Sequence, residues 1–150
     1  MKQFKIFCLF ITGFFFYNCS SLTLTPAEFG WPLEAVLKID NQGFVKEERH
    51  SIYFNTKELF LEEMQDSLGY AGKTLRLIRN NEGYYLMTAA DFKNVYVFGA
   101  DKNSFVLENK IQINEIGMPD PVFNQRSLFI ELITNGKSYR LTSDGIQGGD

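Results

Sequence analysis

The sequence predicts an all-β (or β-rich α+β) domain, an antiparallel meander that forms a small sandwich or barrel with one capping helix. Three observations support this fold class. From residue 33 onward, short runs rich in Val, Ile, Thr, Tyr and Phe recur between turn signals. The dipeptide Asn135-Gly136 separates two apolar runs, which is the strongest short-range hairpin signal. A single segment, after residue 55, has helical periodicity.

The predicted strands follow one another along the chain. They lie within 33–39, 44–45, 51–54, 74–79, 84–88, 95–98 and 105–113. Clusters of Asn, Asp and Gly at 40–43, 80–83 and 101–103 separate them and are typical of turns. The segment 116–125 contains two prolines and a glycine, so we expect a loop there.

The last hairpin allows its register to be predicted. A type I′ turn requires positive φ at both central positions, and Asn-Gly meets this requirement. The turn therefore places apolar side chains on one face and an opposite-charge pair on the other. The predicted pairs are Thr134 with Lys137, Leu132 with Tyr139, Ile130 with Leu141, and Glu131 with Arg140.

One helix is expected after the third strand. Asn55-Thr56 offers an N-cap with Glu58 close behind, a capping-box pattern. Apolar residues then recur at helical spacing as far as Leu68, and Gly69 is a natural stop. Such a helix either covers an open end or face of the sheet or binds a partner.

The first residues have the plan of a secretory signal. MKQFK provides a basic start, and an apolar run of twelve residues, 6–17, follows it. As a helix this run would be about 18 Å long, whereas a hydrocarbon core is about 30 Å thick. The run is therefore too short for a permanent membrane span.

The residues at the end of this run, Phe16-Tyr17-Asn18-Cys19, resemble the relaxed, spirochaete-like lipobox of the bacterial lipoprotein family. The resemblance covers residues 1 to about 21. It implies cleavage before Cys19, lipidation of the Cys19 thiol and attachment to a membrane. Removal of the leader, which contains Cys8, would leave one cysteine, and lipidation accounts for that lone thiol. Ordinary secretion and an uncleaved signal-anchor are the alternatives.

This interpretation divides the chain into four parts. Residues 1–18 are the signal peptide, 19–30 the lipidated N-terminus and a short tether, 31–143 the β-rich domain, and 144–150 a flexible tail. The partner expected from the resemblance is a membrane of the cell envelope, bound through the lipid anchor. Ser20, directly after the cysteine, favours the outer membrane over the inner one.

Charge and composition disfavour several functional classes. The formal net charge is −3, and removal of 1–18 would lower the basic count from 15 to 13 against 18 acids, a net of −5. A nucleic-acid partner would require a clustered basic face, so this acidic balance argues against nucleic-acid binding. His50 is the only histidine and no spare cysteine remains, so zinc and Ser-His-Asp chemistry are disfavoured. No catalytic, metal or cofactor-binding residue is predicted, and no cofactor is expected.

The leading functional hypothesis is therefore a non-enzymatic envelope lipoprotein that binds an envelope protein or a small ligand through a sheet face or loop. The candidate contact residues are exposed aromatics and the 116–125 loop, namely Tyr84, Tyr96, Met118 and Phe123. These side chains are alternatively part of the core. Two other hypotheses stay open: a small envelope hydrolase that uses His50 with acidic residues, and a structural or assembly lipoprotein.

Overall fold

The computed structural model describes residues 33–126 and 128–148 of the compact unit Trp31–Asp150. The predicted signal peptide, Cys19 and the tether 19–30 lie outside the described residues. The described part contains one helix, α1 (Lys57–Met64), and the following strands: β1 (Ala35–Lys38), β2 (Phe44–Glu47), β3 (Ile52–Asn55), β4 (Thr74–Arg79), β5 (Tyr85–Ala89), β6 (Asn94–Asp101), β7 (Ser104–Gln112), β8 (Val122–Gln125), β9 (Ile130–Thr134), β10 (Lys137–Thr142) and β11 (Gly145–Gln147).

The strands form three sheets, and every pair of neighbouring strands is antiparallel. A five-stranded sheet has the order β1-β4-β5-β6-β7, a four-stranded sheet the order β11-β10-β9-β8, and β2 and β3 form a two-stranded sheet. The sheets pack in a sandwich-like arrangement. The predicted β-rich class with one helix is confirmed, and of the two architectures expected, the sandwich is the one observed.

The five-stranded sheet is buried on both faces at its centre. All five residues of the central strand β5 are buried. Since successive side chains of a strand point to opposite sides of the sheet, both faces are covered there, whereas the edge strand β7 is mostly exposed. Leu86 belongs to the core shared with the four-stranded sheet, together with Ile130 and Leu132. Met87 belongs to a second core on the other face, which includes Val45 of β2.

One carboxylate joins the two large sheets. Glu34, just before β1, accepts hydrogen bonds from Arg76 Nη1 of β4 at 2.8 Å and from the Phe123 backbone N–H of β8 at 2.9 Å. Both oxygens of the carboxylate are therefore used, one for each sheet. A bond to a charged acceptor is worth about 1.5–3 kcal/mol, so this contact fixes one edge of the sandwich.

The helix begins close to the predicted start, at Lys57, and Asn55 Oδ1 accepts the Lys57 N–H at 2.8 Å. The predicted capping box is wrong, because the N-cap residue is Thr56 and its side chain makes no capping bond. The Thr56 hydroxyl donates to the Gly43 carbonyl instead.

The helix is shorter than the sequence predicts. It ends at Met64 because Gln65 takes a left-handed conformation with φ of 57°. The expected extension to Leu68 and the stop at Gly69 are therefore wrong, and Leu68 is 65% exposed.

The predicted C-terminal hairpin is confirmed in turn type and register. Asn135 and Gly136 have φ of 48° and 70°, as a type I′ turn requires. The pairs observed between β9 and β10 are Thr134 with Lys137, Leu132 with Tyr139, Glu131 with Arg140, and Ile130 with Leu141.

Two segments predicted to lack regular structure contain strands. Within the expected loop 116–125, Val122–Gln125 form β8 and pair with β9. Within the expected flexible tail 144–150, Gly145–Gln147 form β11 and pair with β10. Both predictions are wrong for these residues, because a strand only three or four residues long is stabilised by its partner strand rather than by its own sequence.

We predict that Gly117 tolerates no side chain. Its φ is 108°, and a Cβ atom there would lie 2.6 Å from the carbonyl oxygen of Asp91. Gly117→Ala should lower the free energy of unfolding by about 2–4 kcal/mol through steric and backbone strain, measured by urea denaturation.

Two alanine variants provide controls for this experiment. Gly136 has positive φ but no atom near the position of a Cβ, so Gly136→Ala should lower the free energy of unfolding by about 1 kcal/mol. Gly148 has neither constraint, and Gly148→Ala should have no measurable effect. Equal stabilities for the Gly117 and Gly148 variants would contradict the proposed close approach.

Candidate functional site

A cleft of about 340 Å³ opens on the face of the five-stranded sheet that is turned away from the four-stranded sheet. One side is formed by β3, one by α1, and the floor by the adjacent strands β5, β6 and β7. Most of the lining is apolar or aromatic, with an amide and two carboxylates in addition. The lining residues are Phe54, Asn55, Glu58, Leu59, Glu62, Met87, Tyr96, Phe98, Phe105 and Leu107.

The alternation of side chains along the strands explains why these residues meet. Met87 and Tyr96 are directly paired residues of β5 and β6, so their side chains share one face of the sheet. Both are almost fully buried and form the closed floor. Leu107 of β7 is half exposed. The cleft is therefore closed at the sheet and open toward solvent near Leu107.

An irregularity in β7 shapes this opening. Val97 pairs with Asn109 whereas Phe98 pairs with Leu107, so Glu108 is an extra residue in β7. Such a bulge bends the strand and changes the direction of the side chains beside it. Leu107 lies next to the bulge, and the bulge therefore contributes to the position of this side chain in the cleft.

Aromatic rings from three strands contact one another along the cleft. The ring of Phe105 meets that of Phe54 at a centroid distance of 5.3 Å and an angle of 79°, and that of Phe98 at 6.1 Å and 59°. The rings of Tyr96 and Phe98 are nearly parallel at 6.4 Å. These separations are within the range of favourable aromatic pairs, so the rings hold one another in place.

Helix α1 supplies an acidic rim. Glu58 and Glu62 are four residues apart, so they lie on the same face of the helix, and both are exposed. Glu62 accepts a hydrogen bond from Lys110 Nζ at 2.8 Å. This bond and the charge of the lysine lower the pKa of Glu62. Among the described residues, no cation forms an ion pair with Glu58.

A third carboxylate on the helix, that of Glu63, fixes the rim relative to the floor. Glu63 Oε2 accepts hydrogen bonds from Tyr96 Oη at 2.6 Å and from Asn94 Nδ2 at 2.8 Å. Its other oxygen accepts the backbone N–H of Lys93. Burial, followed by the hydrogen bond to Glu63, raises the pKa of the Tyr96 phenol. The phenol therefore stays protonated as a donor at neutral pH.

The buried carboxylate of Glu47 organises the turn between β2 and β3. It accepts hydrogen bonds from Arg49 Nε at 2.8 Å and from the backbone N–H of His50 at 2.7 Å, and it contacts His50 Nδ1 at 2.9 Å. Burial opposes its ionisation, but the bonds from Arg49 and His50 outweigh burial and lower its pKa to about 2. His50, the candidate residue for hydrolysis, is thus bound within a turn.

The four residues considered for partner contact lie in different environments. Tyr96 is in the floor of the cleft, and Tyr84 packs half-buried against the main core. Met118 and Phe123 are buried in that core, so a surface contact does not fit either of them. The backbone of Met118 is bonded to residues 91 and 92, which directs this part of the loop inward.

Sequence reasoning did not identify the cleft. Its apolar walls come from Phe54, Leu59, Phe98, Phe105 and Leu107, which appear in the sequence only as ordinary strand and helix positions. The one local signal was the spacing of Glu58 and Glu62, because it places two acids on one face of a helix beside apolar residues.

No known family model matches this chain, and no curated protein sequence and no solved structure is detectably similar to it. Within residues 33–126 and 128–148, no group of three or more His, Cys, Asp and Glu side chains is arranged to hold a metal ion. The one helix in the same residues, α1, lacks the length and apolar character needed to cross a bilayer.

We predict that Glu47 makes stability depend on acid pH. Its pKa is about 2 in the folded chain against an ordinary 4.5, so its ionised form stabilises the fold above pH 4.5. That contribution is lost as the pH falls from 4.5 toward 2. Glu47→Gln should lower the free energy of unfolding by about 1–3 kcal/mol at pH 7, and the difference from wild type should shrink across this interval.

Urea denaturation at several pH values between 2 and 7 measures this difference. Glu48→Gln is the matched control, because the Glu48 side chain is 83% exposed in the same turn, and it should change stability little at any pH. A deficit of the Glu47 variant that is constant across the pH range would contradict the prediction.

Proposed function

We propose that this chain is a lipid-anchored lipoprotein of a bacterial cell envelope, most compatible with the outer membrane, and that its β-sandwich domain is a non-enzymatic binding module for a small ligand. The observation that carries the binding function is the aromatic cleft between α1, β3 and the five-stranded sheet. Small-molecule sites are concave, mostly apolar and contain a few placed polar groups. The cleft has each of these properties.

The rigidity of the cleft supports a binding function. Its floor lies on central strands, its rings contact one another, and Glu63 fixes the helix to β6 through Tyr96 and Asn94. A ligand that enters such a site orders few protein groups, which lowers the entropic cost of binding. A volume of about 340 Å³ is at the small end of ligand sites, which span about 300–1,000 Å³.

The sequence before the domain supports the anchor. A short basic and apolar leader ends at Cys19 in a segment that resembles a relaxed lipobox. The first strand begins at Ala35, sixteen residues later, and a chain of this length reaches at most about 50–60 Å. A lipid on Cys19 would therefore keep the start of β1 within about 50–60 Å of the membrane surface.

The hydrolase alternative has less support from the geometry. Only one carboxylate, that of Glu47, is bonded to His50 among the described residues, and it is also bonded to Arg49 and to the backbone of the turn. These contacts account for the pair as a turn-stabilising group. A role in envelope assembly would instead be supported by stable co-purification with other envelope components.

The anchor is tested by metabolic labelling with an alkyne fatty acid in the native host, followed by detergent phase partitioning. We expect the wild-type chain to carry the label and enter the detergent phase, and Cys19→Ala to do neither. Cys8→Ala is the matched control, since Cys8 lies within the leader, and it should behave as wild type. An unlabelled wild-type chain would exclude the lipoprotein assignment.

The cleft is tested with a neutral ligand, 2-phenylethanol, added to the detergent-solubilised full chain. The methyl NMR signal of Met87, in the floor, should shift saturably, and Leu107→Asp should weaken this binding at least about tenfold by placing a charge at the apolar opening. Val106→Asp is the matched control, because Val106 is similarly exposed but does not line the cleft. A Met87 signal that no ligand perturbs would exclude binding in the cleft.

A further inference from the structure

We propose that the cleft selects a small organic cation, an ammonium group carried on a short aromatic or alkyl body, with the ammonium held at the Glu58 side of the opening and the body between the aromatic rings. This inference rests on the proposed binding function and adds the chemical class of the ligand.

The charge distribution around the cleft favours a cation. Glu58 and Glu62 both line it, and the Lys110 ammonium, 2.8 Å from Glu62, is the cation paired with this rim. In the described part of the chain, Glu58 has no ion-pair partner of its own. Glu58 is an exposed carboxylate, and it attracts a cation with the modest strength of a surface ion pair. It also repels anionic ligands such as fatty acids.

The rings of the cleft favour the same ligand class. Phe54, Phe98 and Phe105 line the cleft, and the face of an aromatic ring carries negative electrostatic potential. An ammonium near such a face gains about 0.5–2 kcal/mol, depending on its desolvation. Aromatic walls combined with an acidic rim therefore discriminate an organic cation from a neutral compound of the same shape.

The chain itself contains one example of this arrangement. The Lys110 ammonium lies 5.4 Å from the centroid of the Tyr96 ring while it is bonded to Glu62. An ammonium thus already occupies a position between a rim carboxylate and a ring of the floor. Glu58, one helical turn earlier, offers a second carboxylate on the same helix face, and this one is available to a ligand.

The shape of the cleft limits the length of the ligand body. Met87 and Tyr96 close the floor at about 1% exposure each, so the body cannot pass through the sheet. A long acyl chain would extend out of a volume of about 340 Å³. A single ring or short alkyl group, which enters beside Leu107, fits the space and leaves the cationic group at the rim.

The test compares three ligands that share a phenylethyl body on the detergent-solubilised full chain at pH 7, followed by the Met87 methyl signal. They are cationic 2-phenylethylammonium, neutral 2-phenylethanol, which is similar in size, and anionic 3-phenylpropionate. The cation should bind about tenfold or more tightly than the neutral compound, and the anion should bind most weakly. The ammonium and hydroxyl groups are similar in size and both donate hydrogen bonds, so a preference for the cation reflects its charge.

Two substitutions locate the charge preference. Glu58→Gln should weaken binding of the cation about two- to fivefold and leave binding of the neutral compound unchanged. Leu107→Lys, at a half-exposed position, should weaken cation binding at least as much by adding a competing ammonium. Glu48→Gln removes the same charge from an exposed turn residue outside the cleft and should change neither affinity. The methyl spectrum without ligand verifies the fold of each variant.

The outcomes separate this inference from the function on which it rests. Equal affinity of the wild type for the cation and the neutral compound would overturn the cation selectivity and leave the binding function standing. Equal effects of Glu58→Gln and Glu48→Gln would overturn the role of Glu58. Absence of any shift at Met87 with all three ligands would overturn both the selectivity and the binding site.

Discussion

The burial of the centre of the five-stranded sheet on both faces is the constraint on which the rest of the domain depends. Its central strand β5 exposes none of its five side chains, so each face requires a covering layer to remove apolar surface from water. The four-stranded sheet covers one face, and the β2–β3 hairpin together with α1 covers the other. The second cover consists of one short hairpin and one short helix, and the cleft lies where they leave the sheet partly open.

Carboxylates fix the covering layers in place. Glu34 connects the two large sheets, Glu63 connects α1 to β6, and Glu47 closes the turn of the β2–β3 hairpin. Apolar burial is not directional, whereas a carboxylate with several donors accepts them only in a narrow range of geometries. The apolar layers therefore supply most of the stabilisation, and these bonds set the position of the helix and the hairpin relative to the cleft.

The same features link stability to the proposed binding function. A cleft whose side chains collapse into it in the absence of ligand would be a poor binding site. Here the rings of Phe54, Phe98 and Phe105 contact one another, and a hydrogen bond from Tyr96 to Glu63 ties the helix to the floor. The acidic rim adds a directional preference that an apolar cleft alone lacks. Attachment through Cys19, as proposed, would hold this site near the envelope membrane without any structural demand on the domain.

The sequence by itself determined the features that depend on neighbouring residues. The β9–β10 register follows from the turn chemistry of Asn135-Gly136 and the alternation of the flanking residues. The approximate start of the helix was also predicted, although the capping box was not. The leader and Cys19 stay a prediction from the sequence. Tertiary structure decided the rest. Strands β8 and β11 are stabilised by pairing with their neighbours β9 and β10. The end of the helix depends on the left-handed conformation of Gln65. The cleft brings together residues that lie between positions 54 and 107 of the sequence. Local patterns specify which face of an element is apolar, but only packing specifies which apolar side chains are covered completely and which line an opening.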